Sequence, residues 1–99
     1  MVVGPIHVVA TLMAKPGQEG DLEAALSAIA PLVRTEPGCI RYDLHRDIDA
    51  LDRFVMIETW QDAAALEIHA GADAFTALAA RFDTLLLLPP DIVRLKHLI

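Results

Sequence analysis

Three side chains on or just after the second and third predicted strands could carry acid–base chemistry on an aromatic ligand. His69 is the candidate general base, since an imidazole with a pKa of about 6.5 gains and loses a proton near neutrality. Trp60 offers a ring for stacking and an indole N–H that can donate to an oxyanion. Tyr42 offers a hydroxyl for a substrate oxygen. Their structural alternatives are a helix-capping histidine, a packing anchor and a half-buried strand residue.

A substrate pocket is predicted beside these three residues. Glu58 shares a strand face with Trp60, and a buried carboxylate needs a partner, either Arg94, Arg41 or a helix end. The other candidates are apolar and would keep water from a flat ring, although core packing alone also explains them. The predicted pocket residues are Phe54, Met56, Glu58, Phe75 and Phe82.

Four strands and two helical regions are predicted to position the site. Strands are indicated by β-branched and alternating residues, and helices by apolar residues at helical spacing. Asp62 is a candidate cap for the short helix that carries His69. Ile40, Tyr42 and Leu44 are expected on one strand face. The predicted strands are 6–14, 40–46, 53–60 and 92–99, and the predicted helices are 18–34, 63–69 and 73–86.

The order βαββαβ predicts a single α+β domain over residues 1–99, with a ferredoxin-like antiparallel four-stranded sheet. Two helical regions cover one face of such a sheet, so the other face would be exposed to solvent in a monomer. That face carries Val9, Thr11, Val55 and Ile57, and 55% of the chain is hydrophobic. Face-to-face pairing of two sheets would bury this surface, which predicts a homodimer.

Charge and composition argue against several classes of protein. A net charge of −6 without a basic cluster disfavours nucleic acid and anionic membranes as partners. No apolar run is long enough to span a bilayer, and no signal peptide is recognisable, so the cytoplasm is the expected location. His7, His45 and His97 lack metal-ligand spacing, and no glycine-rich phosphate loop occurs. We therefore expect no metal and no cofactor.

The chain resembles the antibiotic-biosynthesis monooxygenase family, and in particular its quinol-oxidising members. The resemblance rests on the order of three segments and runs roughly from Ile6 to Leu95. These segments are Lys15-Pro16-Gly17, Glu36-Pro37-Gly38-Cys39-Ile40-Arg41-Tyr42, and Glu58-Thr59-Trp60-Gln61-Asp62 with Ala64, Leu66, His69 and Phe75. The resemblance implies a dimeric α+β barrel whose site is lined by the tryptophan and histidine that match Trp60 and His69.

The resemblance also implies an activity, the oxidation of an aromatic phenol, quinol or anthrone-like substrate with O2 and no metal or flavin. Some family members carry asparagine or histidine where this chain has Ala10, Met56 and Ala74. A related branch of the family degrades haem, and the absent asparagines argue against that activity in this chain. Fewer polar donors for a quinone oxygen favour the alternative, a non-catalytic dimeric module that binds a small apolar ligand.

Overall fold

A computed structural model describes residues 3–99 of the chain. Four strands form one antiparallel sheet in the order β2-β3-β1-β4, with the helices packed on one face. This confirms the predicted ferredoxin-like α+β fold. The elements are β1 (Ile6–Met13), α1 (Glu19–Val33), β2 (Cys39–Arg46), β3 (Arg53–Trp60), α2 (Ala63–Gly71), α3 (Asp73–Ala79), α4 (Phe82–Leu85) and β4 (Asp91–Leu95).

The two central strands show why one face of the sheet belongs to the core. Side chains alternate across a strand, and in both β1 and β3 every second residue is buried beneath the helices. In β3 the buried set is Phe54, Met56, Glu58 and Trp60, as the alternation predicts. Helix α1 covers these strands with an apolar stripe at helical spacing, formed by Leu22, Leu26, Ile29 and Val33.

Strand β2 departs from the predicted alternation at its first residues. The register shifts between Cys39, which pairs with Trp60, and Arg41, which pairs with Thr59. Ile40 is the extra residue of this β-bulge, and its side chain is 62% exposed. The prediction that Ile40 shares a face with Tyr42 is therefore wrong. After the bulge the alternation resumes and buries Tyr42 on the helix side.

The C-terminal half differs from the sequence prediction mainly in its boundaries. Asp62 caps α2 as expected, because its Oδ1 accepts a hydrogen bond from the Ala65 N–H at 2.9 Å. The helix predicted over 73–86 is divided into α3 and α4 by a turn at Ala80 and Arg81. The last strand ends at Leu95, four residues before the end predicted for it.

In the described part of the chain, no helix lies on the second face of the sheet. Val9, Val55 and Ile57 are partly exposed there, and Val93 and Leu95 of β4 are 43% and 47% exposed. We call these five apolar residues the uncovered face. Among residues 3–99, no helix has the length and apolar character needed to cross a membrane.

Candidate functional site

A cavity of about 500 Å³ lies between the covered face of the sheet and the helices. Its volume falls in the range typical of small-molecule sites, and its wall is mainly aliphatic and aromatic. The lining residues are Val8, Ala10, Leu12, Leu26, Tyr42, Met56, Glu58, Ala63, Leu66, Glu67, His69, Ala70, Phe75, Leu78, Phe82, Pro90, Ile92 and Arg94.

Strand register gathers the polar part of the cavity floor into one line. Tyr42 pairs with Glu58, Glu58 with Val8, and Val8 with Arg94, so these four residues cross all four strands. We refer to them as the polar row. The neighbouring row consists of Leu44, Met56, Ala10 and Ile92 and carries no polar side chain. The floor of the cavity thus has polar side chains in the polar row and only apolar side chains in the neighbouring row.

His69 is held over the polar row by a carboxylate from another part of the chain. Its Nδ1 lies 2.8 Å from Glu36 Oε1, and the side chains are 6% and 13% exposed. An ionised carboxylate only accepts hydrogen bonds, so in the neutral imidazole it selects the tautomer with hydrogen on Nδ1. The lone pair of the neutral ring then lies on Nε2, the nitrogen left for a ligand in the cavity.

Two elements bring this pair together. Glu36 lies in the turn between α1 and β2, and His69 in the last turn of α2. The turn contacts the start of α2 closely, because the Gln61 N–H donates to the Gly38 carbonyl at 2.8 Å. Gly38 has φ of +80°, and a Cβ there would lie 2.5 Å from the Ala65 Cβ. Glycine therefore permits the approach that places Glu36 beside His69.

Aromatic rings fix the plane of the His69 imidazole. The ring stacks on Trp60 at 4.6 Å between centroids and 28° between planes. Tyr42 and Phe75 meet it at 5.6 Å and 5.3 Å with steeper tilts. Aromatic pairs contribute roughly 0.5–1.5 kcal/mol each beyond the area they bury, so the imidazole has little freedom to rotate.

Glu58 is paired with Trp60 rather than with either arginine considered from the sequence. The indole Nε1–H donates to Glu58 Oε1 at 2.9 Å, and Glu58 is 5% exposed. Burial raises the pKa of this carboxyl, and the Trp60 hydrogen bond and the nearby His69 offset only part of the effect. A carboxyl group that is costly to ionise thus lies on the floor of the cavity.

Replacement of Glu58 by glutamine should stabilise the protein in a pH-dependent way. The folded-state pKa of Glu58 is raised, so its contribution to stability is present at low pH and is lost as pH rises through that pKa. A Glu58→Gln side chain keeps an acceptor for Trp60 and has no charge. We expect a gain of about 1 kcal/mol at pH 8 and little change at pH 4. Urea unfolding at both pH values measures this, and a gain that is larger at pH 4 would contradict it.

Tyr42 is equipped to donate a hydrogen bond. Burial raises the pKa of its hydroxyl, and the negative charges of Glu58 and Glu36 raise it further. The phenol therefore stays protonated throughout the neutral range. It lines the cavity next to Glu58, its partner on the adjacent strand.

The structure brings most of the predicted site residues to one cavity. Tyr42 and His69 line it, and so do the four predicted pocket residues Met56, Glu58, Phe75 and Phe82. Trp60 and Phe54 do not, because both are 0% exposed and lie behind the wall. Trp60 therefore does not line the cavity as predicted. It supports two residues that do, because it stacks on His69 and donates a hydrogen bond to Glu58.

Two residues of the site were not identified as such from the sequence. In the sequence, Glu36 is only the first residue of a segment that resembles the family, and Arg94 is only a possible partner for Glu58. Within residues 3–99, no group of three or more His, Cys, Asp or Glu side chains is arranged to hold a metal ion. His7 instead bonds the Thr59 hydroxyl at 3.0 Å, away from the cavity.

Comparison with known proteins places this site in a family. The family model described as Antibiotic biosynthesis monooxygenase matches residues 5–81. The chain belongs to the antibiotic biosynthesis monooxygenase family. The matched residues include Glu36, Tyr42, Glu58 and His69, and Arg94 lies beyond them.

Individual known proteins are similar to this one over nearly the whole chain. The protein YcnE of Bacillus subtilis strain 168 is 31% identical over 85 residues, which cover 86% of this chain and 90% of YcnE. The crystal structure of PA3566 from Pseudomonas aeruginosa is 36% identical in sequence with a TM-score of 0.92, and the match covers 100% of this chain and 99% of the PA3566 chain. A structure named as an antibiotic biosynthesis monooxygenase is 29% identical with a TM-score of 0.88, covering 95% and 99%.

Proposed function

We propose that this chain is a cofactor-independent monooxygenase that oxidises an aromatic phenol, quinol or anthrone-like substrate with O2. The observation that carries the proposal is the Glu36–His69 pair at the wall of an apolar cavity. It presents one oriented imidazole lone pair to a space of about 500 Å³, enough for a fused-ring aromatic. Membership of the antibiotic biosynthesis monooxygenase family supports the same reaction class.

The first step is removal of the phenolic proton by His69 Nε2. The resulting anion gives an electron to O2 far more readily than the neutral phenol does. Glu36 stabilises the imidazolium that forms, because its carboxylate accepts the Nδ1–H throughout. Tyr42, which keeps its proton, donates to a second substrate oxygen, and Phe75 and Phe82 exclude water from the reacting ring.

The redox balance closes without a bound metal or flavin. The substrate supplies all the electrons, one atom of O2 enters the organic product, and the other leaves as water. For a CH2 group oxidised to a carbonyl, or a quinol oxidised to a hydroxyquinone, substrate and O2 are consumed one to one.

Oxygen uptake tests the proposal directly. Protein purified without a tag is mixed with quinols and anthrones in an oxygen-electrode cell, and product is measured by mass spectrometry with 18O2. One labelled oxygen per product molecule is expected, at one O2 per substrate. Tight binding without uptake would instead identify a non-catalytic module for a small apolar ligand, which the apolar wall at Ala10 and Met56 would suit.

We also propose that two copies pair through the uncovered face. An exposed patch of five apolar residues on one sheet face is typical of an interaction surface. A stable homodimer of this kind buries more than about 2,000 Å² of surface in total. The site lies on the opposite side of the sheet, so each copy keeps its own cavity. The two sheets, one from each copy, would then lie between two independent sites.

Ile57→Asp should disrupt the dimer. Ile57 belongs to the uncovered face and is paired with Val9 on one side and Asp43 on the other, so a carboxylate there would be desolvated on association. Light scattering should give twice the chain mass of 10.8 kDa for the wild type and the monomer mass for the variant. Ile68→Asp, on α2 and already 58% exposed, is the matched control and should remain dimeric. A monomeric wild type at micromolar concentration would refute the pairing.

A further inference from the structure

Arg94 differs from the other arginines of the sheet in having no acidic partner. Arg41 lies 2.7 Å from Asp43, Arg46 lies 3.6 Å from Glu23, and Arg53 lies 3.7 Å from Asp47. Among the side chains of residues 3–99, no carboxylate lies within 4.0 Å of Arg94. In a chain with net charge −6, this guanidinium is left available at the cavity wall.

The position of Arg94 gives the cavity two distinct polar ends. It lies at the β4 end of the polar row, while Tyr42 and Glu58 lie at the other end beneath His69. Strands are spaced about 4.8 Å apart, so the backbones of Glu58 and Arg94 are separated by roughly 10 Å. Only Val8 lies between them in the row. A flat molecule can therefore contact both ends while its body rests on apolar side chains.

The charges on the wall determine which group each end can take. Glu58 and Glu67 are the acidic lining residues, and both would repel an anion. Arg94 would attract one, since its planar guanidinium can bind a carboxylate through two parallel hydrogen bonds. A hydroxyl suits the opposite end, where His69 and Glu58 accept a proton or a hydrogen bond and Tyr42 donates one.

We infer that the cavity selects a hydroxylated aromatic acid, with its carboxylate on Arg94 and its hydroxyl at the His69 end. The inference rests on the proposed function, because it assigns the substrate class for the same cavity. It adds a specificity-determining residue that has no part in the proton transfer. The ring system must be long enough to place the two groups at opposite ends, which favours fused rings over a single ring.

A matched pair of probes separates the acid subsite from the rest of the site. We would measure binding of 6-hydroxy-2-naphthoate and of its methyl ester to the wild-type protein by isothermal titration calorimetry. The two differ only in the charged group, so a hydrogen-bonded carboxylate should bind about 10–100-fold more tightly. The preference should shrink as salt is raised, because part of it is screened Coulomb attraction.

Variants assign the preference to one residue. Arg94→Met should bring the acid down to the affinity of the ester and leave the ester unchanged, and Arg94→Lys should keep part of the preference. Arg81→Met removes the same charge from an exposed turn and should behave as the wild type. Equal binding of acid and ester by the wild type would overturn the Arg94 subsite and leave the proposed function standing. Failure of both probes to bind would count against the proposed function as well.

Discussion

His69→Ala should lower kcat by about 10²–10⁴-fold on any substrate that the wild-type protein oxidises, the usual contribution of general base catalysis. The reason is geometric, because His69 lines the cavity and its bond to Glu36 through Nδ1 leaves the lone pair of the neutral ring on Nε2. KM should change less, since Phe75, Phe82 and the sheet floor still hold the ring. Steady-state oxygen uptake at saturating substrate, from pH 6 to pH 9, measures the effect.

The pH dependence of His69→Ala and two further variants show whether loss of the proton transfer causes the decrease in kcat. At high pH the phenol ionises in solution, so the deficit of His69→Ala should shrink as pH approaches the substrate's own pKa. Glu36→Gln should lower kcat as well, because the amide can also donate to Nδ1 and permit the wrong tautomer, which 15N NMR of the imidazole would show. His45→Ala, an exposed strand histidine outside the cavity wall, is the control. Wild-type rates in a folded His69→Ala protein would remove the histidine from the mechanism.

The fold was largely predictable because its signals are local. The alternation in β3 and the apolar stripe of α1 directly encode which face is buried. The bulge at Ile40 was not predictable, since the alternation of Ile40, Tyr42 and Leu44 looks unbroken along the chain. Only the pairing of Cys39 with Trp60 and Arg41 with Thr59 shows that one residue is unpaired. The turn that divides α3 from α4 likewise interrupts a continuous apolar stripe.

Site residues were predictable from sequence where the residue type alone indicates its chemistry. They were not predictable where a contact between distant parts of the chain determines the role of the residue. His69 is predicted from its residue type, since an imidazole side chain can serve as a general base, and from its match to the family histidine. Glu36 lies 33 residues before it, so nothing along the sequence indicates their hydrogen bond. The sequence predicts that Trp60 contacts a ligand because its ring can stack, its indole N–H can donate, and its position matches the family tryptophan. It reaches the core and not the cavity because it is the last residue of β3, beneath His69.

Gly38→Ala should be the most destabilising single-methyl change in this region, at roughly 2–5 kcal/mol. Two costs combine: a non-glycine residue at positive φ costs about 1–2 kcal/mol, and overpacking costs about 1–3 kcal/mol. The added Cβ would lie 2.5 Å from the Ala65 Cβ, in the first turns of the helix that carries His69. Relief requires α2 to move away from the turn that carries Glu36. Chemical denaturation gives the loss of stability, and the His69 tautomer gives the loss of the Glu36 contact.

Gly17→Ala is the matched control for Gly38→Ala. Gly17 has φ of +84°, close to the value at Gly38, and a Cβ there would meet nothing within 4 Å. It should therefore show the backbone cost alone, about 1–2 kcal/mol, with an unchanged tautomer. In the double variant Gly38→Ala with Ala65→Gly, the two clashing Cβ atoms no longer coexist, so its loss of stability should be smaller than the sum of the single losses. Equal losses in Gly17→Ala and Gly38→Ala, or strict additivity with Ala65→Gly, would show that close packing of the turn on α2 does not hold Glu36 against His69.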